Sequence, residues 1–498
     1  MGFRSFLAKP LASYVVSRQK VWMRHPVQTQ EAVFHQLIEK AKNTEFGRFH
    51  GFASIRNMED FRQRVPVRDY EGLKEWFDRI KEGHQDVCWP GLPLYLAKTS
   101  GTTSGTKYIP ISRDSIGNHI NGARDSLLNY IHHSGNAAFL DRKLIFLSGS
   151  PVLEQVGGIP TGRLSGISNH HVPAYLRRNQ LPSFETNCME DWEEKVERII
   201  DETLGQRMGL ISGIPPWVQM YFDRIQERTG KPIKDVFPDF SLFVYGGVNF
   251  GPYRKKLFDS IGKQIDSIEL FPASEGFFAF QDQPGTEGLL LLLNSGIFYE
   301  FIPAEEFFSE NPVRLSLRDV ELGKNYALVL SSNAGLWAYS IGDTVKFVSK
   351  NPYRLVVSGR IKHFISAFGE HVIGEEVERA LKRTLEYHPE VAVSEFTVAP
   401  QVNPEEGLPH HEWLIEFAAM PANMPAFERR LDESLCLLNS YYRDLIEGKI
   451  LSPLYVRSLR QGAFQAYMKS KGKLGGQNKV PRLSNDRVLA SGLLNNNL

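Results

Sequence analysis

Between about residue 90 and residue 350, short apolar runs alternate with amphipathic helical patterns, and this alternation restricts the chain to a layered α/β architecture. Strands are predicted over 143–147, 242–245, 267–271 and 326–330, with helices over 191–203 and 216–229. The first ~90 residues read as mostly helical. Over 29–42, for example, Ala32, Val33, Leu37, Ile38 and Ala41 recur at helical spacing. The pattern changes near Gly359 and Arg360. Around and beyond that point the expected order is strand 354–357, helix 375–387, strands 394–399 and 412–417, helix 426–446, strand 452–459 and helix 463–471. Two helices over a small sheet make a compact α+β module of ordinary domain size. We therefore expect a large N-terminal multi-layer α/β domain over 1–357, binding nucleotide and acid, and a smaller C-terminal α+β domain over 358–498.

Length and composition agree with this division. At roughly 150 residues per domain, 498 residues allow two to four domains. A hydrophobic fraction of 42% with 23% charged residues supports large cores without covalent staples. The net charge of +1 offers no bulk attraction to nucleic acid or to a lipid surface, so neither is an expected partner. The three cysteines, Cys88, Cys188 and Cys436, form no CxxC pair. That argues against a zinc ribbon or disulfide framework and for a reducing, cytoplasmic setting. Arg4, Lys9 and Arg18 interrupt the apolar N-terminus, which therefore lacks the core of a secretory signal. Phe6 stands where a myristoylation motif wants Ser or Thr. The apolar stretch 289–302 is broken by Asn294, Ser295 and Glu300 and is too short to span a bilayer. It reads as two buried strands joined by a turn at Asn294, Ser295 and Gly296.

Two segments carry the chemistry. In KTSGTTSGTKYIPIS (98–112), Thr99, Ser100, Thr102, Thr103 and Ser104 surround Gly101 and Gly105, followed by Lys107 and an apolar run. Glycines let the backbone turn and approach a ligand closely. Successive N–H groups in such a bend converge on an anion, hydroxyls add donors, and Lys107 adds a point charge suited to phosphate. A triphosphate fits this chemistry, although a plain Ser/Thr/Gly surface turn has the same composition. The stretch is not a Walker loop: its glycines are four apart and the lysine lies two beyond the second. The second segment, SGRIKHFISAFGEHVIGEEVE (358–378), reads as a turn, a short hairpin and a helix start with acidic first-turn residues.

Together these segments resemble the adenylate-forming superfamily of acyl-CoA synthetases, adenylation domains and luciferases. The glycine spacing in the first is one residue longer than the superfamily pattern, and Lys362 and His363 replace the usual acidic hinge residues in the second. Within the superfamily the chain is most similar to the auxin-responsive promoter family of acyl acid–amido synthetases. Four further stretches carry that likeness: YGGVNFGPYRKKL (245–257), LFPASEGFFAF (270–280), LWAYSIGDTVKF (336–347) and GGQNKVPRL (475–483). Ala273 stands where the family has its first Ser, and Ser340 where it has Arg. Lys107 lies one position nearer the second glycine than in plant members. The resemblance covers roughly residues 20–485.

The resemblance implies ATP and Mg²⁺ as cofactors, a small carboxylic acid and an amine, most simply an amino acid, as substrates, and a C-terminal domain moving about a hinge. It also implies roles. The 99–107 loop would cradle phosphates; Glu275 would act in catalysis as the Mg²⁺ ligand, with Ala273 and Ser274 beside the nucleotide. Gly246 and Gly247 would let adenine lie flat on the backbone. Tyr339 would line the same pocket, and Asp343 would accept the ribose hydroxyls. Arg360 would sit at the hinge, and Lys479 would be brought by the small domain to the forming acyl phosphate. Lys471, Lys473 and Arg482, which flank Lys479, also suit a solvated basic tail, Glu275 also suits a strand-end surface position, and Asp343 also suits a Gly-Asp turn before a strand. An acyl-CoA ligase would share nearly all of these signatures. The acid pocket is expected between the 143–175 and 211–250 regions, where Ser148 to Pro151 and Ser212 to Trp217 form loops at strand ends. The adjacent pair His170 and His171 has no visible third ligand and reads as a pocket wall or surface loop rather than a metal site. A monomer is expected.

Overall fold

In the computed structural model the described residues are 2–102, 105–189, 191–248, 250–361, 364–365, 367–370, 372–470 and 480–495. Two helices, Phe3–Arg24 and Pro26–Ala41, open the chain, and Pro26 begins the second in the first turn, where a missing N–H costs no helical bond. The second helix buries Val33, Phe34, Leu37 and Ile38 in the core that also holds Phe46, Phe52, Phe61 and Trp337. Each such side chain contributes on the order of 2 kcal/mol by leaving water.

Among the described residues the centre is an eleven-stranded sheet. One half is parallel: strands Lys143–Phe146, Met208–Ser212, Leu242–Gly246 and Asp266–Ala273 lie side by side. Helices Trp192–Thr203, Pro215–Thr229 and Gly251–Ile261 occur between successive members of this set. The other half, from Gly276–Phe280 onward, is antiparallel. Side chains alternate across the parallel half. Leu144 and Val244 join Leu128 and Ile131 on one face, while Ile145, Phe243 and Tyr245 join Tyr221 and Phe222 on the other. Because the four strands run the same way, their C-terminal ends meet along one edge, which is where open α/β sheets hold ligands.

The 98–112 segment folds as a hairpin. Strands Tyr95–Thr102 and Gly105–Ile111 pair antiparallel in a four-stranded sheet with Ile159–Gly162 and Glu154–Val156. Helix Ile116–Ser134 follows and packs against both the first helix and strand Gly276–Phe280.

The C-terminal part has its own three-stranded sheet, ordered Ala392–Gln401, His410–Ala419, Tyr455–Leu459. Helices Gly374–Tyr387 and Met424–Leu438 pack against each other beside it. The expected single helix over 426–446 is two, Met424–Leu438 and Ser440–Glu447. Asn439 breaks it with an extended backbone: its side chain accepts from Tyr442 N at 2.9 Å and donates to Glu376 at 3.0 Å. An Asn side chain offers the backbone an alternative to helical bonding, and apolar periodicity does not register it.

Strands Leu289–Leu291 and Ile297–Pro303 form as expected, but three strands stand between them in the sheet. Among the described residues no helix is long and apolar enough to cross a membrane.

Candidate active site

The C-terminal edge of the parallel strands opens onto a cavity of about 1680 Å³. The loops that follow each strand line it, through Ser148, Gly213, Gly247 and Ser274 among others. Gly246 ends its strand so close to its neighbour that a Cβ there would lie 2.5 Å from Leu270 O. Gly247 then turns with φ +85°, in open space, which a side-chain-bearing residue rarely adopts. The result is a flat, unobstructed stretch of backbone at the cavity wall.

Four charged side chains converge there from separate parts of the chain. Lys107 comes from the hairpin and Glu275 from the turn between strands Asp266–Ala273 and Gly276–Phe280. Asp343 and Arg360 face each other as register partners on neighbouring strands. All four line the cavity, with Thr99, Gly246, Gly247, Ala273 and Ser274. Asp343 and Arg360 form an ion pair. Burial raises the Asp343 pKa, against the opposing pull of Arg360 and Lys107. The Lys107 pKa is lowered by burial, with Arg360 acting in the same direction and Glu275, Asp69 and Asp343 opposing.

Tyr339 is fully buried behind this group and donates its hydroxyl to Glu275 Oε1 at 3.3 Å. Burial, together with the Glu275 charge, holds the Tyr339 phenol protonated far above its ordinary range, so it remains a donor. Asn118 steadies the same turn from helix Ile116–Ser134. Its side-chain amide bonds both polar groups of the Phe277 backbone, Nδ2 to the carbonyl at 2.9 Å and Oδ1 from the N–H at 2.6 Å.

Of the other segment residues named above, the backbone of Ser100, Gly101, Thr102 and Gly105 belongs to the hairpin. Thr103, Ser104, Lys362, His363 and Lys479 lie outside the described residues. His170 and His171 do not converge on a common point. One ring bonds Pro151 O at 2.7 Å, the other the Tyr95 hydroxyl at 3.1 Å.

The C-terminal part forms the roof. Phe368, Gly369, Tyr441 and Asp444 line the cavity. Tyr441 donates to Lys98 O at 3.5 Å, and Arg163 lies over the Tyr441 ring at 4.6 Å while pairing with Asp444. Tyr253 donates to Ala367 O at 2.6 Å. These contacts latch the C-terminal part onto the hairpin strand at Lys98, onto Arg163 and onto helix Gly251–Ile261.

Several groups were not visible in the sequence. Burial pushes Glu269 up to about 7, only partly relieved by Arg254, and it lines the cavity beside Tyr245. His119 is buried in the wall, and loss of water brings its pKa down to about 4, so the ring is neutral. Lys195 is driven down to about 8 by burial and donates to Asn187 O at 2.8 Å. None belongs to a recognisable motif. Only their placement behind the strand ends gives them meaning.

Comparison with known proteins shows the family. The GH3 family N-terminal domain is matched over residues 16–183, its central domain over 290–360 and its C-terminal domain over 375–488. The chain belongs to the GH3 family. One GH3 relative, indole-3-acetic acid-amido synthetase GH3.3 of Arabidopsis thaliana, is 27% identical over 540 aligned residues, covering 91% of this chain and 88% of the relative. Another, jasmonoyl–L-amino acid synthetase JAR4 of Nicotiana attenuata, is 21% identical and covers 67% and 68% of the two chains. The fold is similar to that of the AtGH3.15 acyl acid amido synthetase in complex with 2,4-DB, with a TM-score of 0.62, 18% identity, and coverage of 98% and 96%. It is similar also to 2-hydroxyisobutyryl-CoA ligase in the thioesterification state, with a TM-score of 0.59, 14% identity, and coverage of 95% and 93%. The chain thus shares its fold with both an amido synthetase and an acyl-CoA ligase.

Proposed function

We propose that this GH3 chain is a ligase that adenylates a carboxylic acid with ATP and passes the acyl group to an amine, most simply an amino acid, to give an amide. The observation that carries the reading is the convergence of Lys107, Glu275, Asp343 and Arg360 on one cavity beside the bare Gly246–Gly247 backbone. In the first step a carboxylate oxygen attacks the α-phosphorus, the bond to pyrophosphate breaks, and acyl-AMP forms. In the second, the amine nitrogen attacks the acyl carbon, the bond to AMP breaks, and the amine gives up one proton to solvent.

Both partners of the first step are anions, so the site must screen their repulsion and hold them in line. Lys107 and Arg360 supply fixed positive charge within low-dielectric walls. The hairpin backbone with Thr99 to Gly105 would hold phosphates, Ala273 and Ser274 would flank the nucleotide, and Asp343 would take the sugar hydroxyls. Glu275 offers one carboxylate, which fits Mg²⁺, an ion usually held by one or two carboxylates together with phosphate oxygens. Mg²⁺ supplies neutralisation of phosphate charge. Tyr339 orients the Glu275 carboxylate through its hydroxyl.

Residues from 358 on are taken as a mobile domain that pivots near Arg360 and brings Lys479 to the reacting phosphate. The balanced net charge suits a cytoplasmic monomer with no nucleic-acid or membrane partner. The deciding experiment incubates the protein with ATP, Mg²⁺ and a panel of acids, follows pyrophosphate release, then identifies the product with amino acids or CoA added. Acid-dependent pyrophosphate followed by amide is the expected result. A thioester formed only with CoA would assign the acyl-CoA ligase alternative, and no acid-dependent pyrophosphate would overturn the adenylation reading.

A further inference from the structure

The cavity does not stop at the nucleotide site. On the sheet face that carries Leu144 and Val244 it continues back along the strands beneath helix Ile116–Ser134. Along that helix Ile120, Ala123, Leu127, Leu128 and Ile131 all line it. Their spacing is that of one helical stripe. From Ile120 to Ile131 this stripe covers about 16 Å. Leu140, at the far end of the first parallel strand, lines it too. The opposite wall is completed by Phe146 and Leu176.

Protein interiors are normally filled to crystal-like density, so a corridor of this size through a core layer is a built feature. Aliphatic side chains dominate this wall, alongside His119 and Arg124 of the same helix, and such a wall accepts an apolar chain. Its far end meets the first helix, where Leu7 and Leu11 line the cavity yet remain 49% and 48% exposed. Arg4 lines the wall at the same place. The corridor is therefore open at both ends: to the phosphate-binding end on one side, to the surface on the other.

We infer that the acid activated by this chain is a long unbranched aliphatic acid. Its carboxylate lies at the strand ends near Ser148 and Gly246, and its chain runs under helix Ile116–Ser134 toward Leu7 and Leu11. The corridor's length matches an extended chain of roughly a dozen carbons. A single aromatic ring would leave most of the wall uncovered. The whole volume of about 1680 Å³ also exceeds the roughly 300–1,000 Å³ of an ordinary small-ligand pocket, which leaves room for a nucleotide and a long chain together. The inference rests on the adenylation reading for its catalytic outcome and on the corridor alone for binding.

The test separates the two. Binding is read without ATP, by displacement of a fluorescent long-chain fatty acid with straight-chain acids of four to sixteen carbons, and with benzoate and indole-3-acetate. Affinity should rise about fourfold per added methylene until the corridor is full, with both ring acids weak. Pyrophosphate release over the same acids should follow the same order in kcat/KM. Ala123→Trp, which fills the corridor midway, should lower the dodecanoate-to-butyrate ratio of kcat/KM at least tenfold. Leu127→Trp serves if that variant does not fold. Affinity that is flat with chain length, or an unchanged ratio in the folded plug variants, would overturn the inference. Chain-length-dependent binding without pyrophosphate from any acid would retain the corridor and reject the adenylation reading instead.

Discussion

Glu275 occupies a two-residue turn, and three neighbours govern what it can do there. Tyr339 donates to it, Asn118 holds the backbone two residues on, and Lys107 supplies opposite charge. Glu275→Gln keeps the shape and removes the charge. We expect adenylate formation, followed as pyrophosphate release, to fall on the order of a hundredfold. Asp343→Ala should weaken ATP binding several-fold in calorimetry, because it removes the proposed sugar acceptor and the carboxylate that pairs with Arg360. Unchanged affinity would take Asp343 out of the ribose role. Glu269 gives a pH signature. Its folded pKa, about 7, stands above the ordinary value of 4.5, so the folded state holds a proton that the unfolded state gives up between those values. Stability should therefore fall as pH rises from about 4.5 to 7 and level off above. Glu269→Gln, which cannot ionise, should flatten that fall and raise the melting temperature at pH 8. A mutant as pH-sensitive as the parent over that window would show that Glu269 is not the group responsible. At this scale the sequence named Lys107, Glu275, Asp343 and Arg360 because each sits in a motif. Glu269, His119 and Tyr339's bond to Glu275 depend on burial, which no motif encodes.

Among the elements, the break at Asn439 is the clearest case of side-chain chemistry overriding periodicity. Leu431 and Leu435 before it, and Tyr442 and Leu445 after it, keep an apolar face that reads as one helix. The Asn439 cap and its bond to Glu376 redirect the chain so that Tyr441 and Asp444 reach the roof of the cavity. Asn439→Ala should lose about 1–2 kcal/mol in urea unfolding from the lost cap and lost buried bond. A change within a few tenths would mean that the two helices are held by packing alone. The strands Leu289–Leu291 and Ile297–Pro303 teach the complementary lesson. Their apolar runs and the turn between them were legible, since strand composition is local. Their separation by three other strands was not, because pairing partners are chosen by topology.

Over the whole molecule, Arg163, Tyr441 and Asp444 tie the C-terminal part to the larger one at the cavity, beside a shared apolar cluster that includes Tyr253 and Phe368. Arg163 and Asp444 are each 37% exposed at the side chain, so their ion pair contributes about 1 kcal/mol at most, supported by the Arg163–Tyr441 stack. A polar contact of that strength suits the domain movement proposed above. Arg163→Ala should therefore shift the population toward an open form, seen as a larger radius of gyration in small-angle scattering. An unchanged scattering curve with and without ATP would assign closure to other contacts. The strand and helix patterns, the glycine-and-hydroxyl hairpin and the change of character near Gly359 were all set by the chain's own local order, since periodicity and turn chemistry act between residues close in sequence. Only the tertiary structure decided which strands became neighbours, how deeply Glu269 and His119 were buried, and that an apolar corridor runs beneath Ile120 to Ile131. Those outcomes depend on how the first helix and helix Ile116–Ser134 pack against strands far along the chain, and the shape of that gap is a property of no single segment.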